Sequence, residues 1–287
     1  MLGLRYPTEV NLAGDAKATL QALMPLLKTK SDRSWRQTVE SNVEEWWRIV
    51  EARAMNDAKP VNPQRIFWEL SSHLPDDVMI SADSGSGTNW YARDVKLREG
   101  MRASLSGTLA TMGPAVPYAI GAKFAHPDRP AIALVGDGAM QMNGINELIT
   151  IRKYWKDWAD PRLVVMVLHN QDLAQVTWEM RGMEGDPKYE ASQDIPSFRY
   201  AQYAQMVGLQ GIMVDHPEQL ASAWSTALTA DRPTVLEVIA DPNVPPIPPH
   251  IDLSQIKSYT SSVLHGDTNR VDMIKQGVKG ILAEFNK

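Results

Sequence analysis

The 287 residues are 44% hydrophobic and 22% charged, with a formal net charge of −5 at pH 7. This content supports a sizeable core and excludes global disorder, and an acidic balance without a basic block argues against a nucleic-acid partner. The absence of cysteine excludes disulfides and thiolate chemistry and fits a cytoplasmic setting; no apolar run approaches the ~18 residues of a membrane span, and Arg5, Glu9 and Asp15 interrupt any signal-peptide core.

In chain order, Leu4, Val10 and Leu12 predict a short strand, and Asp15 caps a helix with Leu20, Leu23, Leu26 and Leu27 on one stripe. One strand and one helix make no core alone, so residues 1–32 read as the closing remnant of a middle domain. Val39, Val43, Trp46, Trp47 and Val50 stand at helical spacing, so residues 33–60 read as a linker helix ended by the run from Asp57 to Pro60. Asn62-Pro63 is a cap followed by proline at the first helical position. Residues 61–245 then alternate strand and helix. Strands are expected at 78–82, 131–135, 163–169, 212–214 and 234–240, with helices at 65–73, 115–124, 145–155, 197–207 and 218–229. The unbroken apolar run from Leu163 to Leu168 requires burial on both faces. The expected class is therefore α/β, a parallel sheet sandwiched by helices. Residues 246–287 form a tail: the end of a proline-rich stretch, a polar segment, and an amphipathic helix with Met273, Ile274, Val278, Ile281, Leu282 and Phe285.

Ligands of open parallel sheets bind beyond the carboxyl ends of the strands. Three segments leave strands there with distinctive chemistry. Asp83-Ser84-Gly85-Ser86-Gly87-Thr88 lets backbone N–H groups approach an anion, although taken alone it is equally an ordinary turn. Gly136-Asp137-Gly138-Ala139-Met140 sets a carboxylate at the end of a buried strand, where it needs a cation or donors, and a helix N-terminus, which favours an anion. Together they suit a metal–phosphate pair. His169-Asn170-Gln171-Asp172 offers hard oxygen ligands for magnesium or calcium, or a helix cap.

Gly136-Asp137-Gly138 followed by Asn170 resembles the thiamine-diphosphate motif, which begins Gly-Asp-Gly and ends with Asn. The final pair here is His169-Asn170 where that family usually has two Asn, and residues 157–161 look like an inserted turn. The resemblance extends through Met101-Arg102-Ala103-Ser104 and Gly107-Thr108-Leu109-Ala110-Thr111-Met112-Gly113-Pro114 to the tail. The chain is similar to the C-terminal part of the pyruvate oxidase and acetolactate synthase family, and the ending from Pro242 to Pro249 is most like the cytochrome-linked pyruvate oxidases.

The resemblance implies thiamine diphosphate and Mg2+ as cofactors, with Asp137, the Asn170 side chain and the Asp172 backbone carbonyl as metal ligands; Asp172→Ala is then expected to do little to cofactor affinity. It places Ser84, Gly85, Ser86, Gly136, Gly138, Ala139 and Met140 around the diphosphate, and Ala110 and Met112 at the pyrimidine edge. Met112 would hold the cofactor bent, so that proton removal becomes intramolecular. Glu179 stands where pyruvate oxidases carry an active-site acid, expected in an apolar cleft, and Gln175 replaces a large aromatic near the substrate.

The implied parent decarboxylates pyruvate or a related 2-oxo acid and oxidises the resulting enamine, with FAD in a middle domain. A carboligase of the acetolactate synthase type is the alternative, and a stand-alone binding module with a vestigial site is a reading of another class. The glutamate that activates the cofactor comes from a pyrimidine-binding domain in such enzymes, and no candidate for it stands in residues 1–60. The chain is therefore expected to be a silent part of a homo-oligomeric enzyme. The tail helix, with Lys275, Lys279 and Lys287, admits contact with the inner membrane face as a second reading beside packing on a neighbouring domain.

Overall fold

The computed structural model describes residues 2–246 and 252–285. Ile247, Pro248, Pro249 and Lys287, together with the side chain of Phe285, lie outside the described residues. The chain divides into two compact units after Trp47.

In the first unit the expected strand is absent: residues 2–12 form turns and coil with every side chain exposed, Leu4, Val10 and Leu12 included. The helix behind it is present as α1 (Ala16–Leu23), with the Asp15 carboxylate accepting the Ala18 N–H at 2.8 Å. Helix α2 (Ser34–Ala54) matches the periodicity; the division falls within it, and its buried residues, Val50, Arg53 and Ala54, belong to the second unit.

The second unit carries the sheet. In chain order come α3 (Pro63–His73), β1 (Met79–Ala82), α4 (Ser86–Asp94), β2 (Arg102–Leu105), α5 (Ala115–Ala125), β3 (Ala131–Gly136), α6 (Ile145–Tyr154), β4 (Leu163–His169), α7 (Ala174–Glu179), α8 (Tyr200–Met206), β5 (Gln210–Val214), α9 (Leu220–Leu228), β6 (Thr234–Ile239), α10 (Leu253–Leu264) and α11 (Arg270–Phe285). Asn62 caps α3 through the Gln64 N–H with Pro63 at its first position, as its sequence requires. All strand pairings among the described residues are parallel, in the order β2-β1-β3-β4-β6-β5.

Successive strand residues face opposite layers. Ile132, Leu134, Val164, Met166 and Leu236 pack with Phe67, Trp90 and Trp224 of α3, α4 and α9. Ala131, Ala133, Val135, Val165 and Val167 pack with Val116, Leu148 and Tyr200 of α5, α6 and α8. Burial on both faces is why β4 reads as an uninterrupted apolar run.

Among the elements that the sequence does not mark are β2 and α10. β2 is exposed at every residue, so it carries no apolar signal, and its pairing with β1 defines it. α10 occupies the segment expected to be merely polar; Asp252 caps it through the Gln255 N–H.

The Lys123 side chain is fully buried at the end of α5, and its ammonium donates to the carbonyls of Pro127, Arg129 and Asp160 at 3.3, 2.6 and 2.7 Å. Burial lowers its pKa to about 8. Lys123→Met keeps the stem but strands three carbonyls, at an expected cost of about 2–4 kcal/mol. Chemical denaturation checks this; a loss below about 1 kcal/mol would show that water replaces the ammonium.

Candidate cofactor site

The chain runs from β1 outward to β2, then returns to place β3 on the other side of β1, so the direction of winding reverses between β1 and β3. A crevice at the carboxyl ends follows from that reversal. β1 and β3 are paired up to Ala82 and Leu134, so their two exit loops, 83–86 and 136–140, lie side by side.

Asp137 is buried at the exit of β3. One carboxylate oxygen accepts the Gly138 N–H at 2.9 Å; the other accepts the N–H groups of Asn170 and Gln171 at 3.0 and 2.5 Å. The metal-loop candidates of β3 and β4 are thus brought together. Among the described residues no Lys or Arg pairs with Asp137, and burial raises its carboxyl to about 6 against those bonds and the nearby His169. A desolvated carboxylate without a cationic partner fits a bound divalent ion. Gln171 lies in the left-handed region at φ 56°, which turns the chain so that the Asn170 side-chain oxygen accepts the Asp172 N–H at 3.1 Å. No group of three His, Cys, Asp or Glu is placed to hold a metal ion among the described residues. A ligand set of one carboxylate, one amide and one carbonyl, as expected for Asp137, Asn170 and Asp172, would not form such a group.

The Asp172 side chain has a structural part of its own. It is buried, accepts the Thr177 hydroxyl at 2.6 Å and pairs with Lys188 at 3.3 Å. These bonds tie the loop after β4 to α7.

Ser84, Gly85 and Ser86 form the exit of β1, where Gly85 at φ 104° starts α4. The sequence marks neither this helix nor the tie that Asp83 makes. Asp83 is buried, and its carboxylate accepts the N–H groups of Ser84, Gly113 and Ala115 at 2.9, 2.8 and 3.0 Å. Burial raises its pKa against these three bonds. One side chain therefore ties the 84–86 loop to the segment carrying Met112.

Ala110, exposed at φ 47°, and Gly113 at φ 96° bracket that segment. Half-buried Met112 reaches over Gly138: a Cβ added to Gly138 would lie 3.6 Å from Met112 Cε and 2.9 Å from Leu173 Cδ2. Gly136 meets no such crowding, whereas Ala139 and Met140 are buried in the adjoining layer. Gly138→Ala is expected to lower diphosphate affinity about tenfold, because the methyl occupies the floor of the crevice, while the melting temperature stays within about 3 °C since the Leu173 side chain can shift. Calorimetry and a thermal melt on the same sample check both halves.

His169, the departure from the usual motif, is buried. Its Nδ1 meets Glu237 Oε1 at 2.8 Å and its ring meets Tyr200 edge-on. Tyr200 in turn donates to the Asp137 carbonyl at 3.3 Å.

Glu179 lies on α7 and is exposed, at the edge of a largely apolar cavity. It accepts a hydrogen bond from the Gln175 amide at 2.9 Å, and Gln175 accepts one from Asn89 at 2.6 Å. Neither Arg181 nor Lys188 pairs with it: Arg181 is held by Asp267, and Lys188 by Asp172 and Asp194.

The family described as thiamine pyrophosphate enzyme, C-terminal TPP binding domain, matches residues 83–238. The chain belongs to that family. It is 32% identical over 263 residues to the putative thiamine pyrophosphate-containing protein YdaP of Bacillus subtilis (strain 168), covering 92% of this chain and 44% of that protein. It is 28% identical to the acetolactate synthase large subunit of Lactococcus lactis subsp. lactis (strain IL1403), covering 83% of this chain and 40% of that one. The chain therefore spans less than half the length of these relatives. The thiamine diphosphate-dependent 4-hydroxybenzoylformate decarboxylase of Rhodococcus jostii RHA1 shares the fold, at a TM-score of 0.57 and 24% identity over 65% of this chain and 34% of that one. Among the described residues, no helix is long and apolar enough to cross a membrane.

Proposed function

We propose that this chain holds the magnesium–diphosphate end of thiamine diphosphate within an enzyme that decarboxylates a 2-oxo acid, pyruvate or a relative of it, and then oxidises the product. The observation that carries this reading is the buried Asp137 carboxylate, held by the Asn170 loop and lacking a cationic partner among the described residues. The cofactor, when bound, supplies the acidic carbon that attacks the 2-oxo group and takes up the electrons left by carbon dioxide.

The chain's own residues position and shield. Asp137, the Asn170 side chain and the Asp172 carbonyl would hold Mg2+. Ser84, Gly85, Ser86, Gly136, Gly138, Ala139 and Met140 would receive the diphosphate; Ala110 and Met112 would meet the pyrimidine and keep the rings apart, a thioether being soft enough to pack on both. Glu179, at the far side of the Gln175 amide, would exchange protons with the substrate.

Oxidation would need FAD on a domain outside these residues, and the assembled enzyme would be a homo-oligomer. Carboligation is the second reading, favoured by the relatives named acetolactate synthase. Acetate or acetolactate as the product from pyruvate in the assembled enzyme separates the two. We expect the isolated chain to leave deuterium exchange at the thiazolium C2 no faster than in free cofactor, since the activating acid would come from another segment. Accelerated exchange would place that acid within these residues.

A further inference from the structure

A cavity of about 620 Å³ lies beside the cofactor crevice, between α4, α7 and the two C-terminal helices. Its body is apolar, formed by Trp178, Met183, Ile256, Tyr259, Ile274 and Val278. The half-exposed apolar stripe of α11 thus looks into this cavity, while Met273 on the same helix is fully buried. The wall is firmly built. Trp178 stacks on Tyr259 with ring centroids 6.1 Å apart and planes 7° from parallel, and its indole donates to the Pro242 carbonyl at 3.2 Å. Behind it, Arg181 and Asp267 form a buried ion pair at 2.8 Å, which fastens the turn after α7 to the junction of α10 and α11.

One end of the cavity is polar and consists of Asn89, Gln175 and Glu179, joined by the two hydrogen bonds described above. Asn89 stands three residues, about 4.5 Å along the helix axis, from Ser86 in the loop assigned to the diphosphate. Gln175 sits on the helix that leaves the Asn170–Asp172 loop. The polar end therefore adjoins the crevice, and the apolar body extends away from it.

We propose that this cavity receives the side chain of the substrate, and that the substrates are 2-oxo acids with a large apolar group, aromatic or branched aliphatic. The volume falls in the range of sites that enclose whole small molecules, roughly 300–1,000 Å³. The methyl group of pyruvate would leave nearly all of it unfilled, whereas a benzyl or isobutyl group transfers apolar surface out of water. The substrate class rests on the cofactor reading above; the binding test does not.

The test is calorimetry on the 287-residue chain without cofactor, so that no turnover intervenes, with phenylpyruvate and pyruvate as probes. Phenylpyruvate is expected to bind at least tenfold more tightly, and Gly182→Phe to abolish the difference. Gly182 lines the cavity, and a Cβ there meets nothing within 4 Å, so the variant fills space without straining the backbone. Val278→Trp fills the cavity from the opposite wall, at a half-exposed position, and gives a second measurement if the first variant does not fold. Equal affinities for the two probes, or phenylpyruvate binding untouched by either filling, would overturn the proposal. Thiamine diphosphate affinity, measured separately on the same samples with Mg2+, is expected to be unchanged; a failure of the cofactor reading would appear there and not in the probe titrations.

Discussion

Asp137→Ala is expected to weaken binding of thiamine diphosphate in the presence of Mg2+ by on the order of 100-fold or more. Residues that merely support a metal ligand are worth roughly 10–100-fold, and Asp137 is assigned as the charged ligand itself. The substitution also strands the N–H groups of Gly138, Asn170 and Gln171, which now meet at one carboxylate, so the loop after β4 loses its attachment to the exit of β3. Asn170→Leu is expected to act in the same direction by removing a side-chain oxygen while keeping volume. Asp172→Ala should instead lower the melting temperature, through Thr177 and Lys188, at whatever metal concentration is used. Equilibrium dialysis of the cofactor against the three variants separates these effects. Unchanged affinity in Asp137→Ala would remove it from the metal site.

Asp83→Ala is expected to cost about 3–5 kcal/mol of stability, since three backbone donors, two of them buried, lose their acceptor together. The consequence extends beyond stability. Gly113 and Ala115 flank the start of α5, so their release frees the segment that sets Met112 over Gly138. Asp83→Asn keeps one acceptor oxygen and should fall between the wild type and alanine. Denaturant titration gives the stability, and amide exchange at Gly113 and Ala115 reports the loop. Protection retained in Asp83→Ala would mean that the neighbouring packing holds the loop without the carboxylate.

The sheet was legible because burial on both faces writes a continuous apolar run. The exits of β3 and β4 also carry residues whose chemistry is unusual at a strand end. Other parts left no such trace. β2 is an exposed edge strand held only by β1, so neither alternation nor apolar continuity marks it. α4 opens with Ser86-Gly87-Thr88, a turn composition, and is fixed instead by burial of Trp90 and Tyr91 further along. Asp83 reads as one more polar loop residue, because the donors of Gly113 and Ala115 lie about thirty positions away in sequence and only the fold brings them in. The Arg181–Asp267 pair is equally nonlocal. In the opposite direction, Leu4, Val10 and Leu12 have strand-like composition but no partner strand among the described residues, and they remain exposed.

The most direct test is a calorimetric titration of the 287-residue chain with thiamine diphosphate, with and without Mg2+. Saturable binding at one site per chain that requires Mg2+ is the expected result. Binding indifferent to Mg2+, or no binding at millimolar cofactor with Mg2+ present, would contradict the assignment of Asp137 and Asn170 as the metal–diphosphate site.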